Sequence, residues 1–89
     1  MKNQFKIGRG KENEIVVQDK ECPILHAEIN YDKGNWLLNN LVKDKSVFVN
    51  GKKIEGPKEL GKNDKIKIGK ETFYWSNYLY EGENQELDL

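Results

Sequence analysis

Residues 46–54 read SVFVNGKKI and carry the strongest local structural signal of the chain. Asn-Gly, at positions 50 and 51, is the dipeptide most typical of a two-residue β-hairpin turn, since both positions of that turn need a positive φ. A β-branched and aromatic run precedes the turn and a shorter run follows it, so the two runs can pair as antiparallel strands. This stretch therefore predicts a β-hairpin.

Short strand signals continue on both sides of the hairpin. Before it, residues 26–31 alternate small or apolar with polar positions, and turn-forming residues at 32–34 connect them to a second strand. After it, a loop and a turn at 61–64 lead into the alternating strand KIKI at 65–68. No stretch shows helical periodicity with caps, so an all-β sandwich or small barrel is predicted. The seven or eight predicted strands cover residues 5–8, 14–18, 26–31, 35–39, 46–49, 52–54, 65–68 and the run that begins at Thr72.

Length and composition limit the classes of function. With 89 residues and 10.4 kDa, the chain is expected to be one domain, smaller than a typical enzyme. No apolar run approaches the roughly 20 residues of a membrane span, and no signal peptide is indicated. His26 is the only histidine. No metal, cofactor or catalytic set is therefore expected.

Charge divides the chain into a body and a tail. The last nine residues contain four acidic side chains and no basic one, which leaves 15 basic minus 11 acidic residues, or +4, in residues 1–80. Residues 1–80 are predicted to form the domain. Residues 81–89 are predicted to be an acidic, disordered tail, because they offer little apolar surface to offset the entropy of ordering.

The single cysteine and the single arginine are both informative. Cys22 excludes an internal disulfide, and it is interpreted as a small buried hydrophobe in a reducing, cytoplasmic setting. Arg9 stands between Gly8 and Gly10 in a chain with fourteen lysines, a usage typical of an AT-rich bacterial genome. Its planar guanidinium can hold two oxygens of a phosphate or carboxylate, which makes Arg9 a candidate ligand-binding residue.

Five motifs occur in an order and spacing that resembles the forkhead-associated (FHA) domain over about residues 5–75. They are Ile7-Gly8-Arg9, the run 13–17 with Asp19, the run 26–29, Val49-Asn50-Gly51 and the run 60–69. The resemblance implies a β-sandwich of two antiparallel sheets. It also implies a non-catalytic interaction module whose loops around residues 8–11, 19–25 and 40–46 bind a partner protein, commonly at a phosphothreonine.

The resemblance assigns roles to three residues of this chain. Arg9 would contact the phosphate, Gly8 would support it, and His26 would brace the loop from within. The chain departs from the family at the serine before that histidine, where it has Pro23, and at the Ser-x-Asn-Gly loop. That loop reads KDKS at 43–46 here, so its acidic residue would oppose a phosphate. The candidate partner-binding residues are Arg9, Lys11, Lys43, Lys45 and Ser46.

Three readings of the function remain open. The first is a phosphothreonine reader that uses Arg9 and nearby lysines. The second is a degenerate relative that binds a protein without phosphate. The third is a small β-barrel that binds single-stranded nucleic acid through lysines and aromatics, which the absence of a basic stripe disfavours. Thr72 is the only threonine and lies in a predicted strand, so a phosphothreonine ligand is expected to come in trans.

Overall fold

The computed structural model describes residues 3–79, and it contains nine short strands and one 3₁₀-helix, η1. The elements are β1 (Gln4–Gly8), β2 (Ile15–Val16), β3 (Ala27–Asp32), β4 (Asn35–Asn40), β5 (Val47–Val49), β6 (Lys52–Lys53), β7 (Lys58–Leu60), β8 (Lys65–Ile68), β9 (Glu71–Tyr74) and η1 (Trp75–Tyr78). No helix in this part of the chain could reach across a bilayer. The predicted acidic tail, 81–89, lies outside the described residues.

The strands form two sheets that face each other. The first has the order β2-β1-β3-β4-β7, and the second has the order β6-β5-β8-β9. The predicted two-sheet sandwich is confirmed, and the barrel alternative is not what the structure shows. All pairs are antiparallel except β1 and β2, which run parallel. The loop between residues 8 and 15 returns alongside β1 before the chain resumes the same direction.

Strand alternation places the apolar residues between the sheets. In β3 and β4, Ile29 lies opposite Leu38 and both are fully buried, while in the second sheet Ile66 and Ile68 are buried between exposed lysines. Trp75 fills the end of the core, and its indole N–H donates to the carbonyl of Gly61 at 2.7 Å. Burying a side chain of this kind stabilises the fold by about 1.5–3 kcal/mol. The core thus joins both sheets.

Both predicted hairpin turns are confirmed. Asn50 and Gly51 have φ of 53° and 86°, and Lys33 and Gly34 have φ of 51° and 88°. Two successive positive φ values define the turn type whose twist matches that of paired strands. The Asn50 side-chain oxygen also accepts a hydrogen bond from the backbone N–H of Lys65 at 2.9 Å, which connects this turn to the start of β8.

The structure differs from the predicted strands in two places. The three residues of β7 pair with β4 but follow Pro57 and lack a clear alternation, so the sequence alone did not predict that strand. The final run is a strand only as far as Tyr74, and η1 follows it. Among residues 3–79, β9 is an edge strand, because it pairs only with β8.

Candidate functional site

Three loops meet at one end of the sandwich, beyond the end of β1, the start of β3 and the end of β4. The 8–11 loop is held to the 19–25 loop by two backbone hydrogen bonds, from Arg9 N–H to the carbonyl of Pro23 at 2.9 Å and from Gly10 N–H to that of Ile24 at 3.1 Å. The 40–46 loop is held to the same region through Leu41, whose N–H donates to the carbonyl of His26 at 2.9 Å. The fold therefore brings together the three loops that the sequence selected.

Gly8 allows the first two of these loops to approach. A Cβ at this position would lie 2.2 Å from the carbonyl oxygen of Ile24 and 2.9 Å from that of Pro23. Both contacts are to backbone, so they cannot be relieved by rotating a side chain. Gly8 is thus required by the close approach of two backbone segments.

Arg9 is exposed and anchored through one nitrogen only. Its Nε donates to the carbonyl of Cys22 at 2.9 Å. Within residues 3–79 its two terminal nitrogens have no hydrogen-bond or ion-pair partner. The anchor fixes the plane of the guanidinium and leaves its paired terminal N–H groups for an anion, the geometry that favours two-point binding of phosphate or carboxylate oxygens.

A chain of contacts runs from the Arg9 anchor to the 40–46 loop. The thiol of Cys22 lies 3.6 Å from Nδ1 of His26, and Nε2 of His26 lies 3.4 Å from the carbonyl oxygen of Lys45. The amide of Asn40 donates to that same carbonyl at 2.7 Å. His26 is 2% exposed, so it packs beneath the loops and does not face a ligand.

Burial keeps the Cys22–His26 pair neutral. Desolvation raises the pKa of the Cys22 thiol and lowers the pKa of the His26 imidazole. A thiolate–imidazolium pair is disfavoured in this environment, so the contact is a weak hydrogen bond between neutral groups. The sequence indicated only that Cys22 is a small buried hydrophobe. In the structure Cys22 is buried and its thiol also meets His26, four positions away, because the 22–26 segment turns.

Two asparagines brace the site, and sequence reasoning gave neither of them a role. Asn13 is 7% exposed, and its amide donates to the carbonyl of Ile24 at 2.6 Å. Asn40 stabilises the Lys45 carbonyl, as described above. Asn13 lies just before β2 and Asn40 is the last residue of β4, positions at which a polar side chain can satisfy loop backbone groups. The sequence signal that could have pointed to Asn13 is its position just before the β-branched run 15–17.

Asp19 ties the 19–25 loop to the β8–β9 turn. Its carboxylate accepts from the N–H of Glu21 at 3.0 Å and from the N–H of Lys70 at 3.1 Å. The hydrogen bond from Glu21 is the main cause that lowers the pKa of Asp19, with Lys70 contributing as well. Gly69 makes room for this carboxylate, because a Cβ there would overlap the Asp19 carboxylate oxygen, and its φ of +61° also favours glycine.

The remaining candidate residues lie on the same loops, and within residues 3–79 their side chains form no hydrogen bond. Lys11, Lys43 and Lys45 are exposed, and Ser46 is half-buried at the start of β5. The fold thus places these four residues on the 8–11 and 40–46 loops, and their contact with a partner stays a prediction. No cluster of three potential metal ligands occurs within residues 3–79.

Comparison with known proteins gives consistent results. The FHA domain family model matches residues 5–69. An FHA domain-containing protein of Arabidopsis thaliana is 31% identical over 69 residues, which cover 75% of this chain and 18% of that protein. Mycobacterium tuberculosis EmbR, solved with a low-affinity phosphopeptide, matches with a TM-score of 0.74 and 28% identity over 81% of this chain and 19% of EmbR.

A second similar structure consists largely of the matched domain. The FhaA FHA domain, solved in complex with the intracellular domain of Rv3910, matches with a TM-score of 0.70 and 25% identity. The match covers 81% of this chain and 78% of that domain. By contrast, the chain spans less than a fifth of the length of the Arabidopsis protein and of EmbR.

Proposed function

Because the chain belongs to the FHA domain family, we propose that its 8–11, 19–25 and 40–46 loops bind a phosphothreonine-containing segment of another protein through Arg9. The family consists of interaction modules, and relatives of this chain have been solved with a phosphopeptide or with a partner protein domain. The proposal assigns the domain a recognition role and no catalytic one. We further propose a reducing, cytoplasmic setting, which the single buried Cys22 supports.

The anchored, exposed guanidinium of Arg9 is the observation that carries the proposal. Its Nε is engaged by the Cys22 carbonyl, so the side chain is oriented before a ligand arrives. A hydrogen bond to a charged group contributes about 1.5–3 kcal/mol, which is enough to make affinity depend on the phosphate. The loss of side-chain entropy on binding is also smaller for a side chain that is already held.

Nearby charges support an anionic ligand, although one opposes it. Lys11 is two residues from Arg9, Lys43 and Lys45 lie on the 40–46 loop, and all three lysines are exposed. Asp44, between those two lysines, repels a phosphate if it faces the site. Pro23 lacks both a hydroxyl and a backbone N–H, so position 23 adds no donor.

These departures favour a second candidate function, in which the same loops bind a partner protein without phosphate. The substitutions remove polar contacts but leave the Gly8 and Arg9 framework in place. In this alternative, Arg9 would bind a carboxylate or a carbonyl of the partner. The two candidates predict different responses to dephosphorylation of the same ligand.

The ligand is expected to come from outside this sequence. Thr72 is its only threonine, and it is held in β9 opposite Lys67. Reaching the site would require β9 to leave the sheet. A threonine on another chain, or beyond the residues of this sequence, is the consistent source.

An amide NMR titration tests the proposal directly. The uniformly labelled chain is titrated with a degenerate phosphothreonine peptide library and, separately, with the same library unphosphorylated. We expect phosphate-dependent shifts at residues 8–11 and 43–46. Equal shifts with both libraries would support the phosphate-independent alternative, and the absence of shifts at these loops would contradict both.

Two matched variants make the titration specific. Arg9→Ala removes the proposed phosphate contact and is expected to abolish the shifts while the remaining spectrum stays folded. Lys33→Ala removes an exposed charge in the β3–β4 turn and is expected to leave binding unchanged. Equal affinity of Arg9→Ala and Lys33→Ala would show that Arg9 is not the anion ligand.

A further inference from the structure

The outer face of the second sheet gathers lysines and aromatic residues that are distant in sequence. Lys53, Phe48, Lys67 and Thr72 lie side by side across the four strands, as the strand register requires. Two residues further along β8 and β9, Lys65 lies opposite Tyr74. We call these six residues the lysine–aromatic face.

This face is positively charged and contains no carboxylate. The Nζ of Lys65 lies 5.9 Å from the ring centre of Tyr74, and the Nζ of Lys67 lies 5.9 Å from that of Phe48. Within the described part of the chain the three lysines form no ion pair, and Tyr74 is 48% exposed. The sequence pattern indicated scattered lysines, and strand pairing instead places three of them on one surface.

The nearest acidic residue in sequence is already engaged. Asp64 precedes Lys65, but its carboxylate accepts from the Asn50 amide at 2.9 Å and from the Gly61 N–H at 2.8 Å. Glu71 belongs to the opposite side of β9, because its partner across the pair, Ile68, is buried. The positive charge of the lysine–aromatic face is therefore not neutralised from within its sheet.

We infer that the lysine–aromatic face binds an acidic peptide segment, and that its occupant is the chain's own residues 81–89. That segment, EGENQELDL, carries four carboxylate side chains and no basic residue. Its two leucines supply apolar groups for the rings of Phe48 and Tyr74. Charge and composition thus match the face, and this inference does not depend on what the loops around Arg9 bind.

The covalent connection makes even a weak interaction significant. Leu79 is only five residues beyond Tyr74, and the four residues between them form η1. Ten residues follow Leu79 and span up to about 33 Å when extended, whereas four strands spaced by about 4.8 Å are about 14 Å wide. A short tether gives an effective concentration in the millimolar range, so an intrinsic dissociation constant of about 1 mM would leave the face roughly half occupied.

A spin-label experiment on the full chain tests this inference. The label is attached at Asn84→Cys in a Cys22→Ala background, which leaves the four carboxylates and both leucines of the segment in place. Amide broadening is compared between the lysine–aromatic face and the outer positions Glu28 and Asn39 of the first sheet. We expect at least about twofold greater signal loss on the lysine–aromatic face, consistent with a tethered local concentration. Raising NaCl from about 0.1 M to about 1 M shortens the Debye length from about 10 Å to about 3 Å and should abolish the difference.

Charge-neutral variants identify the surface. Replacing Lys53, Lys65 and Lys67 by Gln should remove the excess broadening, whereas replacing the exposed Lys6, Lys20 and Lys33 by Gln should preserve it. Unchanged broadening in the first variant, or equal broadening of both sheets in the parent chain, would overturn the inference. A mixture of a spin-labelled chain without isotope label and an isotope-labelled chain without spin label tests for contacts between copies. Broadening in that mixture would also overturn the inference, because the occupant would then be the tail of a second copy.

Discussion

Replacing Gly8 by Ala is expected to destabilise the fold and to disrupt the candidate site together. The added Cβ would lie 2.2 Å from the backbone oxygen of Ile24, whereas ordinary contact begins at 3.4 Å, so the two segments must separate by 3.4 minus 2.2, or 1.2 Å. The hydrogen bonds between these segments measure 2.9 Å for Arg9 to Pro23 and 3.1 Å for Gly10 to Ile24. A displacement of this size breaks both.

The expected magnitude follows from the bonds that are lost. The two backbone bonds and the bond from the buried Asn13 amide to the Ile24 carbonyl each contribute about 0.5–1.5 kcal/mol net. Their loss lowers the free energy of unfolding by about 1.5–4.5 kcal/mol, a large share of the 5–15 kcal/mol typical of small domains. The shift also moves the Arg9 guanidinium from its anchor on Cys22.

Urea unfolding followed by tryptophan fluorescence measures this effect, with linear extrapolation to water. Gly56→Ala is the matched control, because a Cβ at Gly56 has nothing within 4 Å and no positive φ to oppose it. The control is expected to be neutral or to stabilise by about 0.4–1 kcal/mol. A Gly8→Ala protein within about 0.5 kcal/mol of the parent, the usual range for a surface substitution, with unshifted Arg9 and Gly10 amides, would refute the reasoning.

Three further predictions concern the site. Arg9→Lys is expected to weaken phosphothreonine binding by about tenfold or more, because an ammonium cannot bond the Cys22 carbonyl and hold two phosphate oxygens at once; calorimetry giving unchanged affinity would contradict this. Pro23→Ser is expected to raise that affinity by supplying a hydroxyl donor, and an unaltered dissociation constant would show that the loop geometry excludes the contact. Stability is expected to fall as pH drops below 6.5, the ordinary pKa of histidine, because burial lowers the pKa of His26 and the unfolded chain then binds more protons. The loss should be complete once pH passes below the folded pKa; a flat unfolding free energy between about pH 7 and pH 5, above the range where Asp and Glu titrate, would argue against the role of His26.

Local sequence determined the parts of the fold that depend on neighbouring residues. The Asn50-Gly51 and Lys33-Gly34 turns follow from residues that accept positive φ, and the alternation in KIKI at 65–68 fixes which side of β8 is buried. The sequence did not predict β7, because three residues after a proline are too few to show an alternation of apolar and polar side chains. Its pairing with β4 also depends on a contact between residues distant in sequence.

The sequence by itself determined the hairpins, the buried alternation, the Gly8-Arg9 pair and the loops that would form the site. Only the tertiary structure decided how these parts meet. It placed the Cys22 carbonyl on Arg9 Nε, the Cys22 thiol beside His26, and the lysines of β6 and β8 on one face. The physical reason is that periodicity assigns a side chain to one side of its own strand, whereas its neighbours across strands are set by register and loop closure, which involve residues far apart in the chain.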